Sequence, residues 1–416
     1  MTDRLVDHPS VLGDAAAPSE WLTAAVDGLV ALLGSDAAGA RNRFTEAISH
    51  DGPRAATFCL LTLALSGDGD LANMGWLDSA FPRLPLDSPV TRAQRAVWLT
   101  AAEGAFGEVG RALVRSRTSS LIGRLDDTQR AEELPHWKAA VAELPLPVAA
   151  PRLPEAAALS ALRVWCAQAT AVFDQPDEEP ELSADTVELV RSVLGALLLE
   201  ADPRGTIEAE PVAGLRPDDH AATPPWDEPA GGALMLLRED AFDAGHPMLR
   251  TIAVRAGKAW LTGIAEELAA GSAVEPPDQI VAEIANRPVR LHARRPLERQ
   301  LSRVYARLDA GVAPRFRERN LAIGVLAAGT LIALLSLGSL PVLLVGLAVA
   351  GFGAGWAIAA EQNRRYVIVT LNERKRQASE DAQAALDALE EHRLEAVETA
   401  EQATRDLASI KTSLSR

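Results

Sequence analysis

Cysteine and aromatic residues are scarce in this chain of 416 residues. It has two cysteines, Cys59 and Cys166, two tyrosines, and an aromatic content of only 4%. Two isolated cysteines supply neither a C-x-x-C pair nor the ligand set of a structural zinc site. Both lie in apolar surroundings, so we favour two buried thiols in a reducing compartment over a disulfide between them.

An excess of positive charge is also missing. The chain carries 41 basic and 57 acidic residues, a formal net charge of −16. A surface of this sign repels the phosphate backbone of nucleic acids. We therefore expect no nucleic acid among the partners.

Signatures of strands and of known catalytic sites are absent as well. Runs of β-branched residues are short, whereas the helix formers Ala and Leu are abundant, which predicts an all-α protein. The sequence has no phosphate-binding loop, no H-E-x-x-H and no G-x-S-x-G motif. We predict no catalytic residue, no cofactor and no metal site. An enzyme with an unrecognised site in residues 150–285 remains an alternative.

The first 20 residues lack the apolar core of a signal peptide. We treat 1–18 as a flexible N-terminus and expect the chain before residue 320 to stay in the cytoplasm.

Charge disappears completely between residues 320 and 360. A bilayer core needs roughly 20 apolar helical residues, and this stretch is about twice that length. Gly338 and Pro341 mark a turn near its middle, since Gly ends helices and Pro begins them. The pattern predicts a transmembrane hairpin at 320–360, with helices at 321–337 and 341–360. A buried helix pair in a soluble core and a hairpin inserted on a trigger are the alternatives.

Basic residues flank both ends of this stretch, and the central turn has no charge. By the positive-inside rule, both termini are expected in the cytoplasm, in a multi-pass protein of the inner membrane. Trp356 and Tyr366 suit the interface. The arginines predicted to contact lipid headgroups are Arg299, Arg303, Arg307, Arg315, Arg317, Arg319, Arg364 and Arg365.

The juxtamembrane segment 287–319 has ten arginines against three acidic residues. Its apolar and basic residues recur every three or four positions, which predicts an amphipathic basic helix. These arginines either bind anionic lipids or only set the topology. Within the hairpin, Gly346, Gly351 and Gly355 predict close helix packing, either inside the hairpin or between copies in a homo-oligomer.

The N-terminal region 19–200 has helical periodicity throughout. Small and aromatic residues recur at Gly28, Ala31, Ala40, Phe44 and Ala47. This spacing, in residues 21–53, resembles one tetratricopeptide repeat. The resemblance implies stacked helices that offer a groove for protein partners.

The remaining segments complete the predicted domain organisation. Residues 201–232 are rich in Pro and Gly and are interpreted as a loop or linker, and 233–286 as a second small helical region that includes 278–286. Residues 361–416 have heptad spacing with an Ala-rich seam, which predicts a long helix that either forms a thin coiled coil or packs on the protein's own helices.

Together these features predict a membrane-anchored scaffold or adaptor that recruits protein partners at the inner face of the membrane. The alternative is a membrane-inserting oligomer, such as a component of a pore or of a secretion or injection apparatus.

Overall fold

The chain is mostly helical, as predicted. The structure is a computed structural model that describes residues 19–171, 182–216, 223–310, 316–335 and 340–415. Sixteen helices hold 75% of these residues, and strands are few. The described chain divides into two compact units, with unit 1 formed by Met1–Ser272 and Ala403–Arg416 and unit 2 by Ala273–Gln402.

Unit 1 is built from thirteen helices and the last turns of a fourteenth. In chain order the thirteen are α1 Glu20–Leu33, α2 Ala37–His50, α3 Gly52–Ser66, α4 Met74–Ala80, α5 Arg92–Ala102, α6 Gly107–Gly123, α7 Asp127–Ala142, α8 Pro154–Ala171, α9 Ala184–Ala201, α10 Glu210–Ala213, α11 Ala233–Phe242, α12 Pro247–Ala256 and α13 Lys258–Ser272. Two short strands, β1 Val90–Thr91 and β2 Pro229–Gly231, pair antiparallel. The predicted region 19–200 thus shares one unit with residues 233–272 of the predicted region 233–286, whose remaining residues belong to unit 2.

Polar side chains cap the N-termini of several of these helices. The Asp36 carboxylate accepts a hydrogen bond from the Gly39 amide, and Asn73 caps α4 in the same way. Thr91 with Gln94 forms a capping box at α5. Each cap satisfies a backbone N–H that has no partner within its helix, typically contributing about 1 kcal/mol.

Helices α1 and α2 form the tight pair expected from the spacing of small residues. Ala40, Phe44 and Ala47 are fully buried. A methyl group placed on Gly28 would lie 2.6 Å from the Phe44 ring, so only glycine allows this approach. The likeness of the pair to a tetratricopeptide repeat stays a prediction.

Aromatic residues fill the other half of the core of unit 1. The Trp137 ring stacks on Trp260 with a centroid separation of 5.1 Å and meets Phe242 edge-on at 5.7 Å. Trp165 stacks on the same phenylalanine at 6.3 Å. These four aromatic residues join α7, α8, α11 and α13, and each buries a large apolar area.

Unit 2 contains a β-hairpin, which the sequence did not predict. Strands β3 Gln279–Glu283 and β4 Pro288–His292 pair antiparallel in the register Gln279↔His292. Ala285 and Asn286 form the turn with φ of 51° and 60°, as a two-residue type I′ turn requires. The expectation of helix at 278–286 is therefore wrong. The alternation of Ile280 and Ala282 with outward-facing residues, a period of two, outweighed the helix propensity of Ala and Glu.

Three helices follow in unit 2, namely α14 Leu297–Ala310, α15 Phe316–Leu335 and α16 Leu340–Ser415, whose last residues belong to unit 1. Helix α16 is continuous for 76 residues, or about 114 Å. The predicted helix end near 360 is wrong, because no Gly or Pro interrupts the chain after Gly355. The small core of unit 2 consists of Ile284, Leu291, Leu301, Ala378 and Ala382.

The C-terminal end of α16 packs into the core of unit 1. Ile410 is fully buried there and Leu414 nearly so. The Asp406 carboxylate, only 3% exposed, lies 3.0 Å from the Arg163 guanidinium. This part of the heptad seam therefore packs on the chain's own helices, and a coiled coil between copies stays a prediction.

Candidate membrane-facing helix pair

Helix α15 and the beginning of α16 pack against each other through three glycines. A methyl group on Gly329 would lie 2.5 Å from the Ala350 backbone nitrogen, and one on Gly346 would lie 2.6 Å from that of Ala333. One on Gly353 would lie 2.6 Å from the Leu326 nitrogen. As the number rises along α15, the number of its partner on α16 falls, so the two helices are antiparallel. The backbones touch because these positions have no side chain.

The predicted packing glycines divide into two groups. Gly346 lies in the contact with α15, as one alternative required. Gly351 and Gly355 have nothing within 4 Å and lie on an open face. Gly353 was missed. Gly353 lies seven positions after Gly346, and residues seven positions apart share a helix face, so this spacing could have identified it.

Large apolar side chains cover the outside of this pair. Leu335 is 80% exposed and Phe352 69%. Only 11% of the most apolar window of α16 is buried. Ten further side chains on these two helices are at least 40% exposed, namely Leu321, Ile323, Leu331, Ile332, Leu334, Val342, Leu344, Val345, Leu347 and Ile358. A buried pair in a soluble core would have these side chains covered, so that alternative is not what the structure shows.

Among the described residues, only α16 is long and apolar enough to cross a membrane by length and composition. Asn320–Leu335 is a shorter apolar helix, about 24 Å long, against a bilayer core of about 30 Å. The prediction of two full-length membrane helices is thus reduced to one such helix with a shorter, antiparallel partner. The predicted turn residue Gly338 lies outside the described residues, whereas Pro341 is exposed in the first turn of α16.

The predicted headgroup-binding arginines differ in their surroundings. Arg299, Arg303 and Arg307 are exposed along one face of α14. Arg364 and Arg365 both pair with Glu361, at 3.4 and 3.5 Å.

Three further arginines can be placed only in part. Arg315 lies outside the described residues, and so do the side chains of Arg317 and Arg319. Of the aromatic residues predicted at the interface, Trp356 contacts Phe352 at a centroid distance of 6.1 Å, and Tyr366 is 68% exposed.

Much of the apolar face of α14 is occupied by protein. Leu301 is 1% exposed and shares a buried cluster with Leu291 and Ala382, against which the partly buried Val304 and Tyr305 pack. An interfacial helix needs its whole apolar face free to enter the headgroup region. The amphipathic pattern of α14 is therefore used mainly for folding in unit 2, whereas Val304 and Leu308 near its end stay partly exposed.

Unit 1 contains a polar cluster that joins residues far apart in the sequence. The Glu103 carboxylate, 9% exposed, accepts hydrogen bonds from the hydroxyls of Ser183 and Thr186 at 3.0 and 2.8 Å. The His246 Nδ1 atom lies 2.6 Å from the same carboxylate. Ser183 also caps α9. The cluster satisfies a buried charge and holds the start of α9, and no sequence motif marks it.

Two buried carboxylates of unit 1 show opposite pKa shifts. Burial raises the pKa of Asp240, against the opposing effect of Arg95, whose guanidinium donates to it at 2.8 Å. Burial by itself would also raise the pKa of Asp202. Hydrogen bonds from the Ile207 and Thr206 amides, the Thr206 hydroxyl and the Arg216 guanidinium outweigh it and lower that pKa to about 2. Both carboxylates are held by hydrogen bonds and a guanidinium group that stabilise the fold, so we assign neither of them a reactive role.

The two cysteines are buried and free. Burial raises the pKa of both thiols, that of Cys166 to about 12, so neither is reactive at neutral pH. In the described part of the chain, no group of three or more His, Cys, Asp or Glu side chains is arranged to hold a metal ion.

No protein-family model matches this chain, and no curated protein and no solved structure similar to it was found.

Proposed function

We propose that this chain is a membrane-anchored helical scaffold whose anchor is the pair formed by α15 and the start of α16. The observation that carries this proposal is the exposed apolar surface of the pair. Twelve large side chains of the pair are 40–80% exposed. Leaving each of them in water instead of an apolar environment costs roughly 1 kcal/mol of transfer free energy, on the order of 10 kcal/mol in total. That is comparable to the whole stability of a domain, so these helices need an apolar environment.

The geometry of the pair supports a definite topology. Because the helices are antiparallel, residues 320 and 360 lie at the same end of the pair, and residues 335 and 341 lie at the other end. Arginines follow or precede the apolar stretch only at the first end. The positive-inside rule then places both flanks on the cytoplasmic face of the inner membrane.

Unit 1 is the proposed scaffold. It is a helical domain that starts with a tightly packed helix pair, and a groove of about 570 Å³ lies along α1 and α2. Asp27, Asp36, Arg43 and Glu46 line this groove together with apolar Val30. Such a surface suits a peptide or protein partner, which the anchor would concentrate at the membrane.

Membrane fractionation and site-directed labelling test the anchor. We expect full-length protein in the carbonate-washed membrane fraction, and recovery in the soluble fraction without detergent would overturn the proposal. For topology, Val342→Cys lies at the end of the pair where α16 begins, and Arg365→Cys lies near the opposite end. A membrane-impermeant maleimide should label Val342→Cys only from the far side and Arg365→Cys only from the cytoplasmic side. The two native cysteines are buried and give little background.

A membrane-inserted oligomer, as in a pore or an injection apparatus, is the second candidate. It is favoured by the open face of Gly351 and Gly355, where a second copy could approach closely. Replacing both with Leu should then dissolve the oligomer. An unchanged particle size in detergent would remove this candidate.

A further inference from the structure

A groove of about 510 Å³ opens in unit 2 below the β3–β4 turn. It is lined by residues of the β3–β4 hairpin and of the last turns of α14. Apolar Ile284, Val289, Val304 and Leu308 line it together with two exposed arginines, Arg287 and Arg307.

Neither of the two arginines is paired with an acidic side chain that the structure describes. Both are exposed, and no acidic side chain among the described residues lies within 4 Å of either guanidinium. Asp309, the acid at the same end of α14, is engaged by Lys375 at 2.7 Å. A groove lined by apolar side chains and two unpaired guanidinium groups matches a ligand with an anionic head and an apolar body.

The groove also lies close to the proposed anchor along the chain. Helix α14 ends at Ala310 and α15 begins at Phe316. Six residues span at most about 20 Å, so the groove cannot be far from the start of the apolar pair. Lipid headgroups are the anions present at that depth in a membrane.

We propose that this groove binds one anionic phospholipid of the surrounding bilayer. Its phosphate contacts Arg287 and Arg307, and its glycerol and upper acyl carbons lie on Val289, Val304 and Leu308. The inference rests on the proposed membrane anchor and adds to it a specific lipid site, distinct from the general attraction of basic residues to an anionic surface.

Two charge-matched double variants separate a site from general attraction. Arg287→Gln with Arg307→Gln removes both guanidinium groups of the groove. Arg290→Gln with Arg294→Gln removes the same charge from exposed residues of the same segment that do not line the groove. Full-length proteins are placed in nanodiscs of phosphatidylcholine, alone or with an equal amount of phosphatidylglycerol, and retained lipids are counted by native mass spectrometry after detergent release.

We expect the wild type to retain one phosphatidylglycerol per chain. Its preference for phosphatidylglycerol over phosphatidylcholine should fall on the order of ten-fold in the groove variant and stay unchanged in the control variant. An equal decrease in both variants, no retained anionic lipid, or displacement of the lipid by inorganic phosphate would each overturn the inference. Failure of the wild type to enter nanodiscs would instead overturn the anchor, so the two failures can be told apart.

Discussion

Glycine substitutions in α16 test whether α15 and α16 pack as the structure shows. Gly346→Ala adds a methyl group 2.6 Å from the Ala333 backbone nitrogen, whereas Gly351→Ala adds one with nothing within 4 Å. Both positions lie in the same helix and the same uncharged stretch. They form a matched pair in which only the contact differs.

The expected size of the effect follows from this contact. An ordinary contact begins near 3.4 Å, so Gly346→Ala must move the helices apart by about 0.8 Å. Such overpacking costs about 1–3 kcal/mol. Both variants also gain about 0.5–1 kcal/mol from replacing Gly in a helix, and this gain cancels between them. The difference between the variants is therefore the overpacking cost.

Amide hydrogen exchange of full-length protein in detergent micelles measures this difference locally. Exchange through local opening should be about five-fold to more than a hundred-fold faster in Gly346→Ala than in Gly351→Ala, in peptides from 320–335 and 341–360. Peptides of unit 1 should not change and serve as an internal control. Equal exchange in the two variants would refute the packing register deduced from the three glycines.

Three further predictions concern the buried charges of unit 1. Arg95→Met should destabilise the protein by about 3–5 kcal/mol, since it leaves the buried Asp240 unpaired, and Arg95→Met with Asp240→Leu should recover much of this loss in thermal unfolding. Asp202→Asn should cost about 1–2 kcal/mol at neutral pH. Because the folded-state pKa of Asp202 is lowered to about 2, its contribution is present above the unfolded value of about 3.9 and disappears as the pH falls through about 2. Wild type and variant should then converge in stability, and a constant gap down to pH 2 would contradict the assignment. Asp406→Ala should release residues 403–415 for proteolysis more readily than wild type, whereas equal resistance would show that the Arg163 pair does not hold this end.

The helical fold and the apolar character of residues 320–360 could be predicted from the sequence, because both follow from properties of single residues. Ala and Leu favour helix wherever they lie, and a stretch without charge is apolar in any fold. The burial of Phe44 and Ala47 could likewise be predicted from spacing, since positions three or four apart share a helix face. The same reasoning failed at 278–286, where a short alternating stretch is ambiguous between strand and helix and only pairing with β4 decides.

Residues brought together from distant parts of the chain could not be predicted in this way. Glu103 and His246 are separated by 143 positions, and neither lies in a motif. The heptad pattern of α16 fits a second copy as well as the chain's own helices. The Arg163–Asp406 pair, which joins the last turns of α16 to α8, could not be read from that pattern.

Helical structure and a long apolar segment between basic flanks follow from the sequence, because helix propensity and hydrophobicity belong to each residue. Which glycines face the partner helix, which apolar residues of α14 are buried, and which arginines line a groove without an acidic partner depend on the packing of distant segments. Close packing and charge pairing are properties of the surfaces that meet, not of single residues.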